Sequence, residues 1–251
     1  MQNRIDVGGV IRRVFNIYVD QASVLMPAAA VVFVFTGIIA ALLVVASPAL
    51  ALVALLIDLI AGTLFTGMVV ELVADVQDGR RDSSPGQLLR AVTPVLGQLI
   101  LVGIIAAIGI VIGFVLIIIP GLFLITIWSV AAPVVVLENP GALAALRRSR
   151  ELVSGNGWQV FGVILVLYIV VGVVSFIIEA AAESAGSGAG IVVRVIVGVL
   201  TAPLASLAAA VLYFELGGAA PSQPPPPGTG GSDVGGPPSP GGNDAERAFG
   251  S

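Results

Sequence analysis

The sequence contains no cysteine and no histidine. Lysine is absent as well, so all 11 basic residues are arginine. Without cysteine there is no disulfide and no thiol chemistry. Without histidine the commonest general base and metal ligand is missing. Charge of either sign is scarce. Asp, Glu, Lys and Arg make up 10% of the 251 residues, against about 25% in soluble globular proteins. Apolar residues take up the space: 57% of the chain is hydrophobic and the mean hydropathy is +1.08. Such a chain cannot dress its surface for water, and its class is integral membrane protein.

A bilayer core takes about 20 apolar residues per helix. Six stretches meet that length: Val24–Ala46, Ala49–Ala74, Leu99–Ile119, Leu122–Leu137, Val160–Ala182 and Ile191–Leu216. The first is longer than the apolar core of a cleaved signal peptide, so it is read as a retained span. "ASPA" at 46–49 turns the first span into the second. "IIIPGLFL" predicts a tight turn at Pro120–Gly121 between the third and fourth. "SAGSGAG" at 184–190 turns the fifth into the sixth. The expected fold is all-α, with six transmembrane helices as three hairpins.

The arginines then sort to one side. Arg4, Arg12 and Arg13 precede the first span, Arg80, Arg81 and Arg90 separate the second and third, and Arg147, Arg148 and Arg150 separate the fourth and fifth. The opposite turns hold none, with Arg194 just inside the sixth span. Arginine accumulates in cytoplasmic loops, which places both termini in the cytoplasm.

Each basic segment opens with a helix-start signal: "DVGGVI" at Asp6, "SPGQLL" at Ser84 and "NPGALA" at Asn139. Asp, Ser and Asn are good N-caps, Pro85 and Pro140 suit a first helical position, and Ser84 with Gln87 fits a capping box. Apolar residues follow at helical spacing: Val7, Val10, Ile11, Val14 and Tyr18, then Leu88, Leu89, Val92, Val95 and Leu96. Amphipathic interfacial helices are therefore expected near 6–20, 84–96 and 139–153, each preceding a hairpin. In the third, Ala142, Leu146, Ser149 and Val153 share one face, flanked by Ala145 and Leu152. Arg147, Arg148 and Glu151 lie opposite, with Arg150 at the boundary. The six-span domain covers 1–216. The Pro/Gly-rich segment 217–251 cannot bury a core and reads as a disordered cytoplasmic tail.

No Walker loop, nucleotide fingerprint or metal constellation is present, so no catalytic, cofactor-binding or metal-binding residue is assigned. Two groups of polar residues stand out. Arg12, Arg13, Arg90, Arg147, Arg148 and Arg150 are candidates for lipid-headgroup contact or for topology signals alone. Asp58, Glu179, Glu183 and Arg194 form a candidate intramembrane cluster near the outer interface, because a carboxylate in hydrocarbon needs a partner. The cluster reads either as a relay or, more simply, as Arg194 neutralising a carboxylate. Glu71, Asp75 and Asp78 read as solvated charges or as partners of Arg80 and Arg81. Gly109 and Gly113, four apart, predict close helix packing within the bundle.

"IPGLFLITIWSVAAPVVVLENPGALAALRRSRELVSGNGWQVFGVIL" and "VGGVIRRVFNIYVDQASVLMPAAAVV" resemble the membrane domain associated with bacterial glycerophosphoryl diester phosphodiesterases, and related polytopic families of unknown function. The resemblance spans roughly 5–216 and implies a bacterial inner (plasma) membrane location. The catalytic barrel of those enzymes has no counterpart here, so no enzyme activity is expected. Two functions remain open. One is a non-catalytic scaffold or accessory subunit engaging anionic lipid or a membrane-associated or cytoplasmic protein. The other is a small transporter or lipid-translocating protein using Asp58 and Arg194. Neither needs a cofactor or nucleic acid.

Overall fold

A computed structural model describes residues 5–79, 84–183 and 189–218. These form ten α-helices: α1 (Val7–Asp20), α2 (Ala22–Ala46), α3 (Ala51–Gln77), α4 (Pro85–Val92), α5 (Leu96–Leu116), α6 (Ile118–Ile127), α7 (Ala131–Glu138), α8 (Ala142–Val153), α9 (Gly157–Glu183) and α10 (Ala189–Glu215). No strand occurs among the described residues. Six stretches are long and apolar enough to cross a membrane: α2, α3, α4 with α5, α6 with α7, α9 and α10. They pair as the hairpins α2/α3, α5/α6–α7 and α9/α10. α10 packs against α1, α2, α3, α7 and α9 and forms the central post. The outer faces stay apolar, with Val31, Phe35, Val115 and Phe176 exposed. Segment 219–251, expected to be a disordered tail, lies outside the described residues.

The first turn follows the sequence reading. Ser47 is extended, its hydroxyl accepts from the Ala49 N–H, and Pro48 opens the next helical turn. The second turn does not sit at Pro120–Gly121. The chain reverses at Ile117, which is extended (φ −163, ψ 152), and Pro120 lies inside the first turn of α6. Proline is tolerated there because first-turn N–H groups have no intrahelical acceptor. Gly121 serves packing: a Cβ on it would fall 2.6 Å from the Phe114 ring. A Cβ on Gly113 would fall 2.9 Å from the Gly121 Cα, and one on Gly109 would fall 2.6 Å from the Trp128 ring. Both glycines pack within the bundle, as their spacing predicts. Most of the third turn, 184–188, lies outside the described residues.

The fourth span, expected as one helix over 122–137, is broken. α6 ends at Ile127, Trp128–Val130 form a turn, and α7 follows. A break frees backbone carbonyls, and an unsatisfied one in hydrocarbon costs several kcal/mol. Two serines take them up. The Ser129 hydroxyl donates to the Thr126 carbonyl at 2.9 Å, and Ser149 of α8 donates to the Ile127 carbonyl at 2.8 Å. α7 is enclosed by its neighbours, with Ala131, Val134 and Val135 all buried.

Each of the three leading helices buries one side against its neighbours. In α1, Asp6 caps by accepting from the Gly8 N–H at 3.0 Å, and Val10, Val14 and Ile17 are buried. In α4 the Ser84 N–H donates to Gln87 Oε1 at 2.8 Å, completing the capping box, and Leu88 and Val92 are buried. α4 then runs through a short 3-10 turn, Thr93–Val95, straight into α5. In α8, Ala142, Ala145, Leu146, Ser149, Leu152 and Val153 are buried, the face read from the sequence. Its start differs: Asn139 ends α7 in the left-handed region (φ 47), and Gly141 (φ 92) is the residue before α8. Asn tolerates that conformation better than other non-glycine residues. Pro140 after it cannot prolong α7.

Candidate functional site at the basic end

Two arginines of the leading helices, Arg13 and Arg148, reach polar groups beside the end of α10. Two polar clasps form there. Tyr213, fully buried, donates its phenol to Glu138 Oε1 at 2.8 Å. Arg148 Nε donates to Glu138 Oε2 at 3.1 Å, and its guanidinium lies 3.7 Å from Glu151. Glu138, the last residue of α7, thus ties α8 to α10. On the other flank Arg13 donates to Glu215 Oε1 at 2.8 Å and to Gln77 Oε1 at 2.9 Å. That side chain joins α1 to the ends of α3 and α10.

Tyr18 adds a second tie from α1 to α10, donating to the Leu200 carbonyl at 3.0 Å. Burial pushes the Tyr18 phenol above its usual pKa, which holds the donor proton in place. Arg13 and Tyr18 are five residues apart, about 7 Å along a helix, yet they bond points about 22 Å apart on α10. Their side chains splay along the post and fix where α1 sits.

The six candidate arginines therefore divide. Arg13 and Arg148 hold the fold together through ion pairs. Arg12, Arg90, Arg147 and Arg150 are exposed and make no ion pair among the described residues. On α8 the buried face is anchored by Ser149 and Leu152, which leaves Arg147 and Arg150 pointing away from the bundle. Asp58 lies on an exposed face of α3. The side chains of Glu179, Glu183 and Arg194 lie outside the described ones, as do Arg80 and Arg81 altogether. Among the described residues no three His, Cys, Asp or Glu converge as metal ligands.

Glu138, Gln77, Tyr213 and Glu215 are absent from the sequence-derived candidates. A signal for two of them exists: Glu138 and Glu215 each close a span on the side where the arginines lie. An acid at the end of an apolar helix, facing a basic strip, is positioned to pair.

These features define a polytopic, all-helical membrane protein in which Glu138 and Glu215, at the ends of two spans, pair with arginines of the leading helices. The chain belongs to the family described as a domain of unknown function, DUF8558, which matches residues 88–216, from α4 to just past the end of α10. A stretch of 101 residues is 35% identical to a UPF0259 membrane protein of Pectobacterium carotovorum subsp. carotovorum (strain PC1). That stretch covers 39% of this chain and 39% of the relative's length. No solved structure matches the chain. The resemblance to polytopic membrane families of unknown function agrees with these matches; neither names a glycerophosphoryl diester phosphodiesterase.

Proposed function

We propose that this chain is a non-catalytic membrane scaffold or accessory subunit whose basic end engages anionic lipid headgroups on the cytoplasmic side of a bacterial cell membrane. The observation that carries the reading is the pair Arg147 and Arg150, exposed and unpaired among the described residues on a helix whose other face is locked into the bundle. A guanidinium held at a fixed point offers paired donors to a phosphate. Each arginine near an anionic leaflet gains about 1 kcal/mol, an effect that salt screens. Trp158, 85% exposed one turn beyond α8, supports an interfacial position, because tryptophan favours that layer.

The test is lipid retention. Arg147→Gln with Arg150→Gln, purified in detergent, is expected to lose most co-purifying phosphatidylglycerol and cardiolipin, with its melting temperature nearly unchanged. Arg148 stays native, because its loss would break the Glu138 clasp. Unchanged anionic lipid in the double variant would reduce these arginines to topology signals.

The second reading, a small transporter or lipid-translocating protein, draws on the broken fourth span, because transporters place substrate sites at discontinuous helices. Flux across liposomes that disappears on Asp58→Asn would favour it.

A further inference from the structure

A groove of about 150 Å³ runs between α9, α10 and the break that separates α6 from α7. Ile125, Leu167 and Leu212 give it apolar walls, and Ser129, Tyr168 and Thr201 bring three hydroxyls. Among the described residues no charged one lines it. Its lining on α10 extends from Thr201 to Leu212, about 16 Å along the helix, so the groove is elongated along α10.

Its depth follows from two independent rulers. Trp158 marks an interface at the start of α9, and Tyr168 lies ten residues further, about 15 Å in. α6 begins at the opposite turn and reaches the break after its ten residues, again about 15 Å. A hydrocarbon core is about 30 Å thick, so both rulers end at its middle. There Ser129 and Thr201 have committed their protons to the Thr126 and Val197 carbonyls. Tyr168 is 63% exposed and makes no hydrogen bond among the described residues. A phenol at that depth has no water to donate to, and a bare hydroxyl in hydrocarbon is costly.

We infer that this groove binds one acyl chain of an uncharged, headgroup-free lipid of the diacylglycerol type, with an ester carbonyl accepting from the Tyr168 phenol. The uncharged lining selects against a charged headgroup, which would be expensive at this depth. The small volume, drawn out along α10, suits one hydrocarbon chain and not a bulky headgroup. The free donor calls for an acceptor oxygen, which a plain hydrocarbon tail lacks. The Ser129 and Thr201 oxygens retain lone pairs for the glycerol hydroxyl. This assignment is independent of headgroup binding at Arg147 and Arg150, since it uses other residues and an uncharged ligand.

The experiment uses the full chain in nanodiscs of phosphatidylcholine, doped with a diazirine analogue of dioleoylglycerol and mapped by mass spectrometry after photolysis. Labelling is expected to saturate, to fall on the groove residues of α9 and α10, and to be displaced by unlabelled dioleoylglycerol. Tyr168→Phe, which removes one hydrogen bond, is expected to weaken labelling about three- to tenfold. Ala205→Phe, which fills the groove, is expected to abolish it, while Val173→Phe on the outer face of α9 leaves it intact. Labelling that fails to saturate, or that persists in Ala205→Phe, would identify ordinary surrounding lipid and overturn the assignment. So would two copies per disc joined through Tyr168 and separated by Tyr168→Phe. If Ala205→Phe fails to fold, Tyr168→Phe decides alone, and undiminished labelling in it refutes the proposal.

Discussion

Glu138 serves two partners from one carboxylate, the buried Tyr213 phenol and the Arg148 guanidinium. Its loss is therefore expected to cost more than the loss of either partner. Tyr213→Phe deletes one charge-assisted hydrogen bond, worth about 1.5–3 kcal/mol. Glu138→Ala deletes that bond and the Arg148 pair together, and leaves a buried phenol without this acceptor. Thermal melts in detergent should rank wild type above Tyr213→Phe and Tyr213→Phe above Glu138→Ala. The reverse order would mean that the phenol, not the carboxylate, organises the clasp. Sequence reasoning found the arginines but not this residue. A positive strip is visible in one dimension, whereas Glu138 and Tyr213 meet across 75 positions. Only the packing of α7 against α10 brings them together.

At the scale of helices, periodicity resolved most of what the structure contains. The buried face of α8 was legible because it repeats every three to four residues, and the same holds for Val10, Val14 and Ile17 of α1. The break in the fourth span carries a local signal in Pro133, which has no N–H for the Ser129 carbonyl and whose ring crowds it. Its second support is distant: Ser149 of α8 caps the Ile127 carbonyl. The Pro120–Gly121 dipeptide misled for a related reason: its glycine answers to Phe114 on the facing helix, not to the local turn. A contrast between glycines follows. Gly113→Ala would drive its methyl against the Gly121 backbone, which cannot yield as a side chain can. Overpacking of this kind costs about 1–3 kcal/mol. Gly62 has open space around its Cβ position within α3. Gly62→Ala should be neutral or stabilising by about 0.5–1 kcal/mol, the usual gain on replacing a mid-helix glycine. Equal melting temperatures for the two variants would count against the tight α5/α6 hairpin.

At the scale of the whole molecule, six antiparallel spans return the chain to the end where it began, as the Arg13–Glu215 bond requires. From the arginine asymmetry we propose that this end faces the cytoplasm. A periplasm-active reporter fused after Gly217 should be silent, and one inserted within 184–188 should be active; the opposite pattern would invert the orientation. α10 also sets a timetable. It is the last of the described helices to leave the ribosome, yet Tyr18, Thr66, Glu138 and Arg13 all take partners on it. Until α10 is made, α1 and the first hairpin lack a helix that both pack against. A transcript cut short before codon 189 yields five-sixths of the membrane domain with its centre missing. A fragment that stops before α10 therefore differs from the six-span bundle by one docking event, the one that gives α1, α2, α3, α7 and α9 their shared neighbour.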